Sequence, residues 1–166
     1  MEMTIASAFA DEFTRETRNT RRMLERVPWE QAEWRPHPKS ATLGGLAIHI
    51  ARLAGFPEMI LATAGRDLAA GQPPAPTPTS TAELLAAFDA SVEASVRALQ
   101  SASADALMQT WTLRRGEQVI VSVPRAAAIR NLAFNHACHH RGQLSVYLRL
   151  KDIPVPGMYG PSADER

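Results

Sequence analysis

The sequence predicts an all-α fold, a four-helix bundle with one long crossover connection and a small β-hairpin inserted before the last helix. Three observations carry this expectation. Four segments repeat apolar residues at helical spacing, a proline-rich stretch separates the second from the third, and alternating valines precede the fourth.

From Ile5 to Val27 the apolar residues Ile5, Phe9, Phe13, Leu24 and Val27 recur with a helical period. Asp11, Arg15, Arg18, Arg22 and Glu25 occupy the opposite side, so one face is expected inside and the other in water. Pro28, Pro36 and Pro38 interrupt the next stretch, which contains Trp29, Trp34 and His37 and is too proline-rich to stay helical. Ser40 and Thr42 offer caps for a second helix, with Leu43, Leu46, Ile50, Leu53, Phe56 and Ile60 on one side, a bend at Pro57 and an end near Gly65.

Gln72-Pro-Pro-Ala-Pro-Thr-Pro78 reads as a stiff extended linker inside one domain, because neither flank has enough helices to close a core. Ser80 followed by Glu83 has the form of a capping box, opening a third helix with the stripe Leu84, Phe88, Val92, Val96 and Leu99. Trp111 and Leu113, then Val119, Val121 and Val123, alternate across an Arg115-Gly116 turn and predict the hairpin. Pro124 suits the first turn of a fourth helix with the stripe Ile129, Leu132, Ala133, His136, His140, Gln143, Leu144 and Tyr147.

At 166 residues the chain reads as a single domain over 1–166, long enough to bury a core. Eighteen basic and seventeen acidic residues leave a net charge of +1, and no window gathers enough like charge to suggest a nucleic-acid or anionic-membrane partner. Neither a membrane-spanning run nor a secretory leader is evident, and the single cysteine, Cys138, permits no internal disulfide. These features together predict a cytoplasmic protein.

The chemistry concentrates in His136-Ala-Cys-His-His140-Arg-Gly-Gln143. At about 100° per residue, His136 and His140 project side by side one helical turn apart and can grip one metal ion from a single face. The third candidate ligand is His49, on the apolar side of the second helix. Burying neighbouring imidazoles without a shared partner is expensive, and a divalent ion is such a partner. Three imidazoles from two helices would leave open positions on the ion, the arrangement of a catalytic site.

His139 lies about 60° off the centre of this stripe, a rim position suited to outer support or substrate contact. Gln143, one turn beyond His140, is placed to hydrogen-bond at the site. Cys138 falls opposite the metal face and is expected to be a small interface or loosely buried residue. Glu16 is the one acidic residue beside the first helix's apolar stripe, read chiefly as solvent-bound and alternatively as an outer acceptor or base. Arg141 points away from the stripe and is expected in a structural ion pair, Gly142 is expected to permit close helix packing, and His37 to serve its loop or gate the site.

The His-x-x-x-His-Arg-Gly-Gln run, the Thr42-Leu-Gly-Gly-Leu46 lead before His49, the Trp34-Arg-Pro-His-Pro-Lys-Ser40 stretch and the tail Val155-Pro-Gly-Met-Tyr-Gly-Pro-Ser-Ala-Asp164 resemble the DinB-like family of metal-binding four-helix bundles. The resemblance spans nearly the whole chain. It implies a three-histidine nickel or zinc site, carried here by His49, His136 and His140, and a homodimer, to which Phe134 and Leu148, off the stripe and apolar, would lend a surface. It also implies small-molecule chemistry: thiol S-transfer with a low-molecular-weight thiol, or hydrolysis by a metal-activated water. The competing reading is a non-catalytic, metal-stapled dimer with a binding or stress-response role. A DNA-directed role finds no basic face to support it.

The tail is expected to fold back. Its prolines and glycines exclude a helix, yet Val155, Met158 and Tyr159 are too apolar for a solvated end, so Tyr159 is expected against the bundle or a dimer neighbour.

Overall fold

A computed structural model describes residues 4–71 and 76–165; of the proposed linker, residues 72–75 lie outside the described part. Helix α1 runs Ile5–Leu24, and Thr4 and Ser7 cap its start reciprocally. Phe13 and Leu24 face inward, but Ile5, expected on the buried stripe, is 56% exposed, while its neighbour Ala6 takes the buried position in the first turn. The five charged residues predicted for the opposite side are all exposed.

The second predicted helix is two. Helix α2 (Leu43–Leu53), capped by Thr42 onto the Gly45 N–H, and α3 (Phe56–Ala62) meet at a 43° bend. The break falls at Ala54 and Gly55 rather than at Pro57, which sits harmlessly in the first turn of α3. Buried Ser95 repairs the backbone there, donating to the Ala54 carbonyl at 2.6 Å and accepting from the Glu58 N–H at 3.3 Å. No single helix among the described residues is long and apolar enough to cross a membrane; α2 and α3 reach that length and composition only as this bent pair.

Helix α4 (Thr81–Ser101) lies along α1 and presents Leu84, Phe88 and Leu99 to the core. Its Ser80 cap forms as predicted, while the Glu83 carboxylate takes the Thr79 N–H and hydroxyl in place of the second capping-box bond. A short helix α5 (Ala104–Met108), not predicted, leads into the hairpin.

The hairpin, β2 (Thr110–Arg115) against β3 (Gln118–Pro124), is joined by β1 (Gly65–Asp67), which runs parallel to β2. At three residues β1 is too short to show a pattern in sequence. Gly65 permits the pairing, because a Cβ there would stand 2.3 Å from the Thr112 carbonyl oxygen. Trp111 anchors the sheet to the core, fully buried, its indole N–H donating to Thr63 Oγ1 at 3.1 Å.

The last predicted helix also differs. Helix α6 (Arg125–Ile129) passes into a π-helical stretch, Arg130–Asn135, before α7 (His136–Arg149). The wider turn with i→i+5 bonds shifts the phase of everything before His136. Phe134 is buried, stacked on Phe13 at 5.7 Å and tilted against Phe9 at 5.6 Å. Leu148 is buried as well, so neither residue offers the partner surface expected of it; the exposed apolar residues of α7 and its end are Val146 and Leu150. Gly142 borders open space, which removes close packing as its reason.

Candidate metal centre

Helices α2 and α7 pack against each other and bring residues 87 positions apart together. The Nε2 atoms of His49 and His136 are 3.3 Å apart. The ring of His140 closes the group, its centroid 4.5 Å from that of His49 and 4.7 Å from that of His136. One nitrogen from each ring falls within 4.8 Å of the others, and the cluster contains no fourth histidine, cysteine or carboxylate donor among the described residues.

All three rings are half-buried. Burial pushes the pKa of His49 down to about 4, helped by the adjacent His140 and His136 and then by the charge of Arg52. Burial, followed by His140, also lowers His136, against a backbone hydrogen bond at Leu132 that raises it. These two imidazoles are therefore neutral at pH 7, the form that donates a lone pair to a cation.

Gln143 organises the outer side. Its Oε1 lies 2.7 Å from His140 Nδ1, and a carbonyl oxygen can only accept, so the ring carries its proton on Nδ1 and turns the Nε2 lone pair toward the cluster. The amide nitrogen of Gln143 is 3.1 Å from His139 Nε2, which places exposed His139 at the rim as the spacing predicted. The donor set fits a divalent cation of borderline softness: three imidazole nitrogens, one oriented by a second hydrogen bond.

The remaining sequence candidates lie apart from this cluster. Glu16 is neither solvent-bound nor a base at the site. It ion-pairs with Arg141 at 2.6 Å, and Arg141, 2% exposed, also donates to the Glu16 carbonyl and to Thr20 Oγ1, each at 3.0 Å. The tail completes that knot, as expected of a folded-back segment: the Tyr159 hydroxyl accepts from Arg141 and donates to Glu16 at 2.7 Å. Asn19 and Arg22 hold the tail carbonyls of Met158 and Gly157. The ring of Tyr159 itself remains largely exposed, and exposed Cys138 lies 3.5 Å from its hydroxyl. His37 serves its loop, accepting from the Lys39 N–H at 3.1 Å. Arg52, three residues beyond His49 on the same side of α2, is the neighbour that a search for ligand types passes over; its i+3 spacing was the available signal.

Comparison with known proteins agrees with this architecture. A DinB-like protein from Bacillus cereus ATCC 10987 superposes with a TM-score of 0.71 at 28% identity, over 96% of this chain and 100% of that one. The DinB-like protein YjoA from Bacillus subtilis shares the fold, with a TM-score of 0.70 at 17% identity over 96% of this chain and 99% of its own. The uncharacterized protein YrdA of Bacillus subtilis (strain 168) is 28% identical over 148 residues, 88% of this chain and 83% of that protein. The family model described as DinB family matches residues 1–166, and the chain therefore belongs to the DinB family.

Proposed function

We propose that this protein is a divalent-metal-dependent enzyme acting on a small electrophilic molecule, with His49, His136 and His140 holding Zn²⁺ or Ni²⁺. The observation that carries the reading is a cluster of three imidazoles with no fourth protein donor among the described residues. A structural site closes its coordination with protein ligands, whereas a catalytic one keeps a position for substrate or water. When bound, such an ion lowers the pKa of a coordinated thiol or water and so supplies a nucleophile at neutral pH.

The chain's own residues set the conditions for that chemistry. Burial favours the unprotonated, lone-pair-donating form of His49 and His136. Gln143 fixes the tautomer of His140 and spans to His139, which stands where an incoming molecule would meet a proton donor or acceptor. A low-molecular-weight thiol transfer and an ester-type hydrolysis both fit this arrangement.

Elemental analysis of protein purified without an affinity tag tests the site. About one equivalent of zinc or nickel per chain is expected, lost in His49→Ala and His136→Ala and retained in Cys138→Ala. Co²⁺ substitution then reads the open position: spectra that change on adding a thiol support catalysis. A coordination sphere indifferent to thiols, together with no turnover on a panel of thiol acceptors and esters, would make the ion a staple between α2 and α7.

A further inference from the structure

On another face of α2 from His49, α2, α4 and the segment at Pro76 and Pro78 border a half-open cavity of about 230 Å³, lined by Ile48, Ala51, Leu84, Ala87, Pro76 and Pro78 and by no histidine. Of its lining residues only Ser91 and Arg52 bear polar side chains, and Arg52 alone is charged. Arg52 is exposed and takes part in no ion pair among the described residues. Seven arginines are ion-paired, and Arg15, Arg18, Arg26, Arg35, Arg66, Arg115 and Arg125 lack an ion pair among the described residues as Arg52 does; Arg52 differs from them in lining this cavity.

Helix geometry sets the order of these features around α2. Measured from His49, Arg52 lies about 60° round the helix, Ile48 about 100° and Ala51 about 160°, all in the same sense. Around α2, Arg52 thus falls between His49 and the residues that line the cavity. We propose that Arg52 is the specificity residue of this protein, reading the carboxylate of an amphipathic substrate whose apolar portion occupies the α2–α4 cavity. One unpaired guanidinium balances one negative charge and matches a planar carboxylate through two parallel N–H donors, whereas a dianionic phosphate would keep an uncompensated charge beside apolar walls. The inference rests on the proposed function only in taking the bound molecule to be a substrate.

Octanoate and its uncharged analogue octanamide are the probes, titrated calorimetrically into zinc-loaded and zinc-stripped protein. Octanoate is expected to bind both forms, with Arg52→Gln weakening it by about tenfold or more and Arg52→Lys recovering part of the loss. Octanamide binding should differ by less than about twofold between wild type and Arg52→Gln, since only the charge contact has gone. Ala87→Phe, an exposed helical position where the larger ring fills the cavity, should abolish binding of both with the circular dichroism spectrum unchanged. Equal octanoate affinity in wild type and Arg52→Gln would overturn the proposal, as would no detectable binding at about 10 mM. So would octanoate binding that disappears with zinc, because the ion would then be the carboxylate's partner. Loss of metal stoichiometry with octanoate binding intact would instead sink the metal-site reading and leave the cavity assignment standing.

Discussion

Replacing Glu16 should cost more stability than replacing its partner Arg141. The two side chains are unequally buried: that of Arg141 is 3% exposed and that of Glu16 26%. Glu16→Gln keeps the shape but strands a guanidinium where water cannot reach it. Breaking a buried pair in that way costs about 3–5 kcal/mol. Arg141→Met strands a carboxylate that is already partly wet and retains the donated bond from Tyr159, so the cost falls to about 1–2 kcal/mol once lost packing is included. The expected difference is therefore about 2 kcal/mol in favour of the arginine deletion. The double variant should be more stable than Glu16→Gln alone, because removing both charges leaves none stranded. Urea unfolding of metal-free protein measures these values without metal linkage; in this chain length each kcal/mol also moves Tm by about 2–4 °C. Equal losses from the two single variants, or a Glu16→Gln loss below about 1 kcal/mol, would refute the assignment of Arg141 as a desolvated cation held by Glu16.

The metal-free protein should lose stability as pH falls from 6.5 to about 4, because the unfolded chain protonates His49 in that window and the folded chain does not. The full shift is equivalent to about 3 kcal/mol, reduced to about 1–2 kcal/mol by solvent access to a half-buried ring. His49→Asn should remove that component, and an unchanged pH profile in the variant would count against it. Gln143→Ala should lower zinc affinity by about 10- to 100-fold through loss of the bond that orients His140, with competition against a chelator as the readout. Trp111→Ala should destabilise by about 3–5 kcal/mol, since it empties a fully buried site and removes the N–H that Thr63 Oγ1 accepts. Deleting residues 154–166 removes Tyr159 from the Arg141 knot and Asp164 from Arg149; it should lower Tm and leave metal content intact, whereas a Tm equal to wild type would show the tail contributes nothing.

What the sequence determined by itself was whatever depends on short-range periodicity. Apolar spacing placed the long helices, alternation across Gly116 placed the hairpin, and the four-residue interval between His136 and His140 put two imidazoles on one face. His139 at the rim, Gln143 against His140 and Arg141 in an ion pair followed from the same angular arithmetic. Tertiary structure decided what periodicity cannot encode. The π-helical stretch Arg130–Asn135 is not signalled by local propensity, and packing of Phe9 and Phe13 from α1 turned Phe134 from an expected partner surface into core. The break at Ala54 and Gly55 depends on Ser95, a residue 41 positions away, to satisfy the freed backbone carbonyl. Strand β1 exists because β2 is there to pair with it. Glu16 became the counterion of Arg141 only when α1 packed on α7, and Arg52 acquired meaning only when α4 closed a cavity beside it. Helical faces are written in residues three and four apart; the partners those faces meet are chosen by packing across the whole chain.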